Sequence, residues 1–241
     1  MQVCVSERIF REGVIQFQAH HRQARLSSAR FSALAARLSA WRDILVRLDV
    51  LGEDPTRYDG VSFGNVSGRL GPFPGQRGAR PFLITGSQTG GKRCIDLDHY
   101  CVVTRYQASA NTVDSYGPLL PSSESLTHGA IYDLGPHIRF VFHVHAPALF
   151  QRARELGVPM TAPEVSYGTP AMAREVARLY RDAPLAQLGI LAMGGHEDGV
   201  ITFGRSADEA GQVLVTFLAR ALESREGEPG RCRPSSALTP R

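Results

Sequence analysis

The 241-residue chain carries 43% hydrophobic residues, 24 glycines and a formal net charge of +4, enough to build one sizeable core and too dispersed in charge for a nucleic-acid footprint. No run of about 18 apolar residues exists to span a bilayer, and the opening MQVCVSERIF lacks the basic-then-apolar order of a secretory leader, so the expected location is cytoplasmic. Cys4, Cys94, Cys101 and Cys232 are scattered, which excludes a disulfide framework and a metal knuckle.

In chain order, EGVIQFQ at 12–18 reads as an edge strand. Ser27 or Ser28 then caps a helix with a stripe of Phe31, Leu34, Ala35, Leu38, Trp41, Leu45 and Leu48, stopped by Gly52. Short extended runs follow at GVSF, NVSGRL, PFLIT and YCVVT, parted by glycine and proline clusters. From residue 121 helices alternate with strands: a helix from about Ser123, the strand IRFVFHVH, a helix begun by Pro147 and another capped by Thr169. The strand pair GILAM and GVITF comes next, then a helix from Ser206 with Asp208 and Glu209 in its first turn. One domain over 1–222 is expected, with the polar, Pro/Gly-rich 223–241 as a disordered tail.

The chemistry concentrates in four places. His143 and His145 are two residues apart on a strand and so share a face about 6 to 7 Å apart at Cα, a spacing that suits chelation and equally suits hydrogen-bonded core histidines. His196, in the glycine-rich turn AMGGHEDGV between two strands, is the best third ligand, and three imidazoles with an open position suit catalytic zinc or another divalent transition ion. His128, one helical turn after Glu124, is a rival ligand; mid-helix placement also fits a packed histidine.

Ser122 and Ser123 precede a helix, where they serve either as caps or as an anion site. Glu124 beside them either compensates the helix dipole or moves a proton at a metal-held carbonyl. The loop GSQTGGKR copies the Gly-x4-Gly-Lys frame of a nucleotide loop, but Arg93 replaces the required Ser or Thr and no amphipathic helix follows, which argues against ATP. Its amides and the hydroxyls of Thr85, Ser87 and Thr89 remain able to cradle an anion. Lys92, the only lysine, lies in this loop and not at a strand end, which argues against imine chemistry.

Taken together, SFGNVSGRL, FLITGSQTGG, PSSESLTH, FHVHAP and GGHEDGVITFG stand in the order that resembles the class II aldolase/adducin family over roughly residues 28–220. The resemblance implies an α/β fold, three layers (α/β/α) around a largely antiparallel sheet, and a homotetramer with sites between subunits. It implies zinc on His143, His145 and His196, Glu124 as acid/base, and a phosphate grip from Asn65, Ser87, Ser122 and Ser123. Three departures stand out. Glu197 and Asp198 follow His196 where many relatives have glycine, the GSQTGG loop differs from the family's usual Thr-Pro-Ser/Thr-Gly pattern, and Tyr167 is not a clean match for the tyrosine that some aldolases use.

The function expected on this basis is zinc-dependent C–C cleavage of a small, phosphorylated ketose or hydroxy-carbonyl sugar through an enediolate. The alternatives are dehydratase, epimerase or decarboxylase chemistry on the same metal, and a non-catalytic adducin-like scaffold. No nucleic acid or membrane partner is expected.

Overall fold

The computed structural model describes residues 13–223; the expected tail from 224 onward, Cys4 and Cys232 lie outside the described residues. Eight strands form one sheet in the order β1-β5-β4-β3-β2-β6-β8-β7. They are β1 Gln18–Gln23, β2 Asn65–Arg69, β3 Phe82–Thr85, β4 Tyr100–Gln107, β5 Thr112–Gly117, β6 Phe140–His145, β7 Ile190–Ala192 and β8 Gly199–Gly204. Only β1 and β5 run parallel; every other pairing is antiparallel. The edge strand is therefore Gln18–Gln23 and not 12–18, because its backbone finds the β5 ladder there, from Gln18 opposite Thr112 to Gln23 opposite Gly117. The expected strand GVSF does not form: a 3₁₀ turn, Tyr58–Gly60, ends at its first residue, and Phe63 makes only a lone bridge to Gly52.

Side-chain alternation sorts the central strands onto two cores. Leu83, Val66, Phe142, Val144 and Val200 face one way, together with α1 Ser28–Arg47 and α6 Ala207–Leu222. Phe82, Ile84, Val103, Val141 and Ile201 face the other, under α2 Ser125–Leu134 and α4 Pro170–Asp182. The short helices α3 Pro147–Gln151 and α5 Leu185–Leu188 complete the layers. A sheet buried on both faces explains why β3 and β8 read as continuous, mostly apolar runs.

Helix α1 buries Phe31, Ala35, Leu38, Arg42 and Leu45, a stripe at spacings of three and four residues, so one face seals the first core. Burial of a side chain such as Leu38 contributes about 1.5–3 kcal/mol. Thr169 caps α4, its Oγ1 accepting from the Met172 amide at 3.2 Å, and Ser206 caps α6 through the Glu209 amide at 3.0 Å. Among the described residues no helix is long and apolar enough to cross a membrane.

Candidate metal and anion site

Strand β6 lies between β2 and β8, so the residues at its C-terminal end sit at the middle of one sheet edge. Val141, His143 and His145 share the face that looks toward α2 and α4; Phe142 and Val144 fill the opposite core. This parity is why an apolar strand carries two histidines: one face is core throughout, and the other changes from core to site as the strand reaches the edge.

The β7–β8 turn supplies the third imidazole. It is closed by the Met193 amide on the Gly199 carbonyl (2.8 Å) and by the His196 amide on the Met193 carbonyl (2.9 Å), which lifts His196 over the end of β6. Ring centroids lie 5.0 Å apart for His143 and His145, 5.1 Å for His143 and His196, and 4.7 Å for His145 and His196. One nitrogen from each falls within 4.8 Å of the others.

Burial holds all three rings neutral. His143 and His145 are pushed well below the ordinary histidine range by desolvation first and by neighbouring imidazoles second, and desolvation lowers His196 to about 3. Neutral imidazole is the form that donates to a metal. The His143 Nε2 is buried without a hydrogen-bond partner among the described residues, while its Nδ1 lies 3.3 Å from the Asn65 amide, an outer contact of the sort that fixes a ligand's tautomer. Register explains that contact, since Asn65 on β2 sits directly opposite His143. Three buried neutral nitrogens with one orphan fit a divalent transition ion.

Glu124 stands just before α2, fully buried, with Oε1 3.6 Å from His196 Nε2. Burial pushes its carboxyl up to about 7, against Thr127 and the Gly168 amide, which favour the charged form. Ser122 and Ser123 precede it, and the structure gives α2 no side-chain cap; Ser122 Oγ reaches the Glu124 amide only at 3.5 Å. Both serines instead line a polar cavity with Asn65, Ser87, Thr89, Gly90, Ser62 and Gly13. A bridge between Gly86 and Pro121 draws the two loops together. The four residues assigned to an anion grip thus meet at one cavity, and no α-helix follows the Lys92 loop, only the 3₁₀ turn Leu97–His99.

The remaining candidates divide. His128 lies outside the three-histidine cluster, its Nδ1 2.7 Å from Ser67 Oγ, which also meets the Tyr132 hydroxyl at 2.6 Å. Asp198 accepts from the Tyr58 hydroxyl at 2.9 Å; Glu197 is exposed. Tyr58 in turn packs edge-on to His145, at 4.5 Å between centroids. The Tyr167 ring lies 4.5 Å from His196, but its hydroxyl is engaged by the Val14 backbone, accepting from the amide at 3.2 Å and donating to the carbonyl at 3.1 Å. Sequence reasoning missed Tyr58, Ser62 and the segment at Gly13, because turns and loops far apart in the chain carry no periodic signal.

Comparison with solved structures places this architecture. L-fuculose-1-phosphate aldolase from Thermus thermophilus superposes with a TM-score of 0.53 at 20% identity, over 78% of this chain and 90% of that one. A sugar-phosphate aldolase from Thermotoga maritima gives 0.56 at 15% identity, over 78% and 92%. The N-terminal class II aldolase domain of a Thermoplasma acidophilum protein gives 0.52 at 18% identity, over 83% and 97%. At these identities the likeness shows the fold. No curated protein sequence matches the chain. The family model for the class II aldolase and adducin N-terminal domain matches residues 56–222, more than half of the sequence and the span that holds the three histidines, Glu124, Asn65, Ser87, Ser122 and Ser123, and the chain belongs to that family.

Proposed function

We propose that the chain is a metal-dependent lyase of the aldehyde-lyase type that cleaves a C–C bond in a small phosphorylated ketose or hydroxy-carbonyl sugar. His143, His145 and His196 would hold the ion, with zinc the first choice for three imidazoles and an open position. When bound, such an ion supplies Lewis-acid stabilisation of the negative charge that develops on adjacent oxygens as the bond breaks. Glu124, with Oε1 3.6 Å from His196 Nε2, would hold or release the proton at the reacting carbon, a role supported by a carboxyl raised by burial to about 7. Asn65, Ser87, Ser122 and Ser123 would grip the phosphate at the far end of the substrate. The homotetramer implied by the family resemblance and a cytoplasmic location belong to the same reading.

The observation that carries it is a single one: a buried carboxyl within 3.6 Å of a three-imidazole cluster, beside a hydroxyl-lined cavity. A scaffold has no use for four buried ionisable groups in contact, each of which costs free energy to desolvate. The test is to incubate zinc-loaded protein with a panel of ketose phosphates and identify products. Aldehyde plus a three-carbon keto phosphate supports cleavage, whereas an epimer, a dehydrated sugar or carbon dioxide reassigns the chemistry. Glu124→Gln should keep the metal and lose about 10²–10⁴-fold in turnover; full activity in that variant would remove the carboxyl from the reaction.

A further inference from the structure

Arg42 is a fully buried cation in the apolar stripe of α1, at 1% exposure. Its Nη2 donates to three backbone carbonyls of one loop: Thr89 at 2.9 Å, Gly90 at 2.8 Å and Lys92 at 2.7 Å. The only carboxylate it meets among the described residues is Asp43, at 3.4 Å and half exposed. A charge taken out of water in this way is costly unless hydrogen-bonded, and here the three shortest bonds go to main-chain oxygens of the loop whose residues 86–90 line the hydroxyl-rich cavity.

The consequence follows from peptide geometry. In a planar trans peptide the C=O and the N–H point in opposite directions. The Thr89 carbonyl shares its peptide with the Gly90 amide, and the Gly90 carbonyl with the Gly91 amide. Drawing both carbonyls back onto Arg42 turns both amides forward. The Gly91 amide reaches Ser62 Oγ at 3.3 Å, and Gly90 lines the cavity. No side chain fits at position 90, where a Cβ would come within 2.2 Å of the Gly52 carbonyl oxygen. Glu53 reaches the same wall and offsets part of the charge, its Oε2 accepting from the Ser62 hydroxyl at 2.7 Å.

We propose that Arg42 is the positioning residue of the anion subsite: it fixes the 86–92 loop with the Gly90 amide toward the cavity and places a full positive charge one peptide behind the cavity wall. The proposal rests on the phosphate-gripping role proposed above for Ser87, Ser122 and Ser123. It adds what that grip otherwise lacks, because hydroxyls alone supply no net charge to balance a phosphate dianion. Arg42 touches no substrate; it acts through the loop.

The test uses full-length, zinc-loaded protein labelled with ¹⁵N-glycine and titrated with inorganic phosphate. In the wild type, the Gly86 and Gly90 amides should shift with phosphate. Arg42→Met should weaken that binding about 10-fold or more, and Arg42→Lys, which keeps the charge with a different donor geometry, should recover part of the loss. Zinc content should stay at the wild-type level in both variants. Wild-type protein whose Gly86 and Gly90 amides ignore phosphate, with shifts confined to Gly194, Gly195 and Gly199 at the metal turn, would remove the phosphate grip and this proposal together. Normal wild-type titration with equal affinity in both variants would overturn the role of Arg42 alone. So would parallel loss of zinc and phosphate in Arg42→Lys, since that pattern means general loss of structure. Should Arg42→Met not fold, Arg42→Lys and the wild-type Gly90 shift decide.

Discussion

His128 shows what a single buried side chain does to the molecule outside the site. It is fully buried, desolvation lowers it to about 3, and its Nδ1 is held by Ser67. An unfolded histidine titrates near 6.5, so above that pH both states are neutral and stability is complete. As pH falls below about 6.5 the unfolded chain takes up a proton that the folded chain refuses, and stability is lost progressively until about pH 3. The loss is on the order of several kcal/mol over that window. His128→Gln removes the titration, so although the variant is weaker at pH 7.5, its stability should fall less steeply between pH 7 and pH 4.5 in urea denaturation. Parallel pH profiles would show that His128 is not the source. At this scale much was legible from residue type alone: the His143–His145 pair announces itself by two-residue spacing, and Glu124 by its place before a helix. Arg42 was not, although a charged residue at a position where the stripe of Phe31, Ala35, Leu38 and Leu45 demands an apolar one was a signal in plain view.

The β7–β8 turn is the element on which the site depends, because it alone carries His196 to the end of β6. It is clamped from above by the segment 161–165. A Cβ on Gly195 would come within 2.2 Å of the Val165 carbonyl oxygen and 2.7 Å of that of Pro163, both backbone atoms of the covering segment. Gly195→Ala must therefore shift the turn, at a cost of about 1–3 kcal/mol, and His196 moves with it. The expected result is a folded protein with unchanged far-UV circular dichroism and much less bound metal per chain by elemental analysis. Full metal content would mean that the turn yields without displacing the imidazole. Helices α1, α4 and α6 were legible at this scale, since stripes and caps are local. Strand β5 has no counterpart among the strands expected from the sequence, and β1 is displaced along the chain. The exposure of β1 alternates without an apolar face, and its position comes from a parallel ladder to β5, some 94 residues away, which no local window contains.

The antiparallel character of the sheet was legible only through the family resemblance and its strand order not at all, because neighbours such as β2 and β6 pair across more than 70 residues. That non-local assembly has a measurable consequence for metal binding. His143 and His145 come from a central strand, His196 from a turn near the sheet's edge and Glu124 from the start of a helix on one face, and they meet only when sheet and helix layers are both in place. An ion held by the three imidazoles therefore binds the native state and finds at most the His143–His145 pair in the unfolded chain. Binding that favours the native state adds stability as RT ln(1 + [L]/Kd), about 2.7 kcal/mol when free metal stands 100-fold above Kd. For a chain of this size each kcal/mol moves Tm by about 2–4 °C. Zinc-loaded protein should thus melt about 5–10 °C above the chelator-stripped protein, and the shift should grow with free zinc. The triple variant His143→Ala, His145→Ala, His196→Ala should show no such dependence, whatever its own Tm. A zinc-dependent shift that survives in the triple variant would place the metal elsewhere on the molecule, and a wild type with no shift at any free zinc concentration would remove the ion from the site.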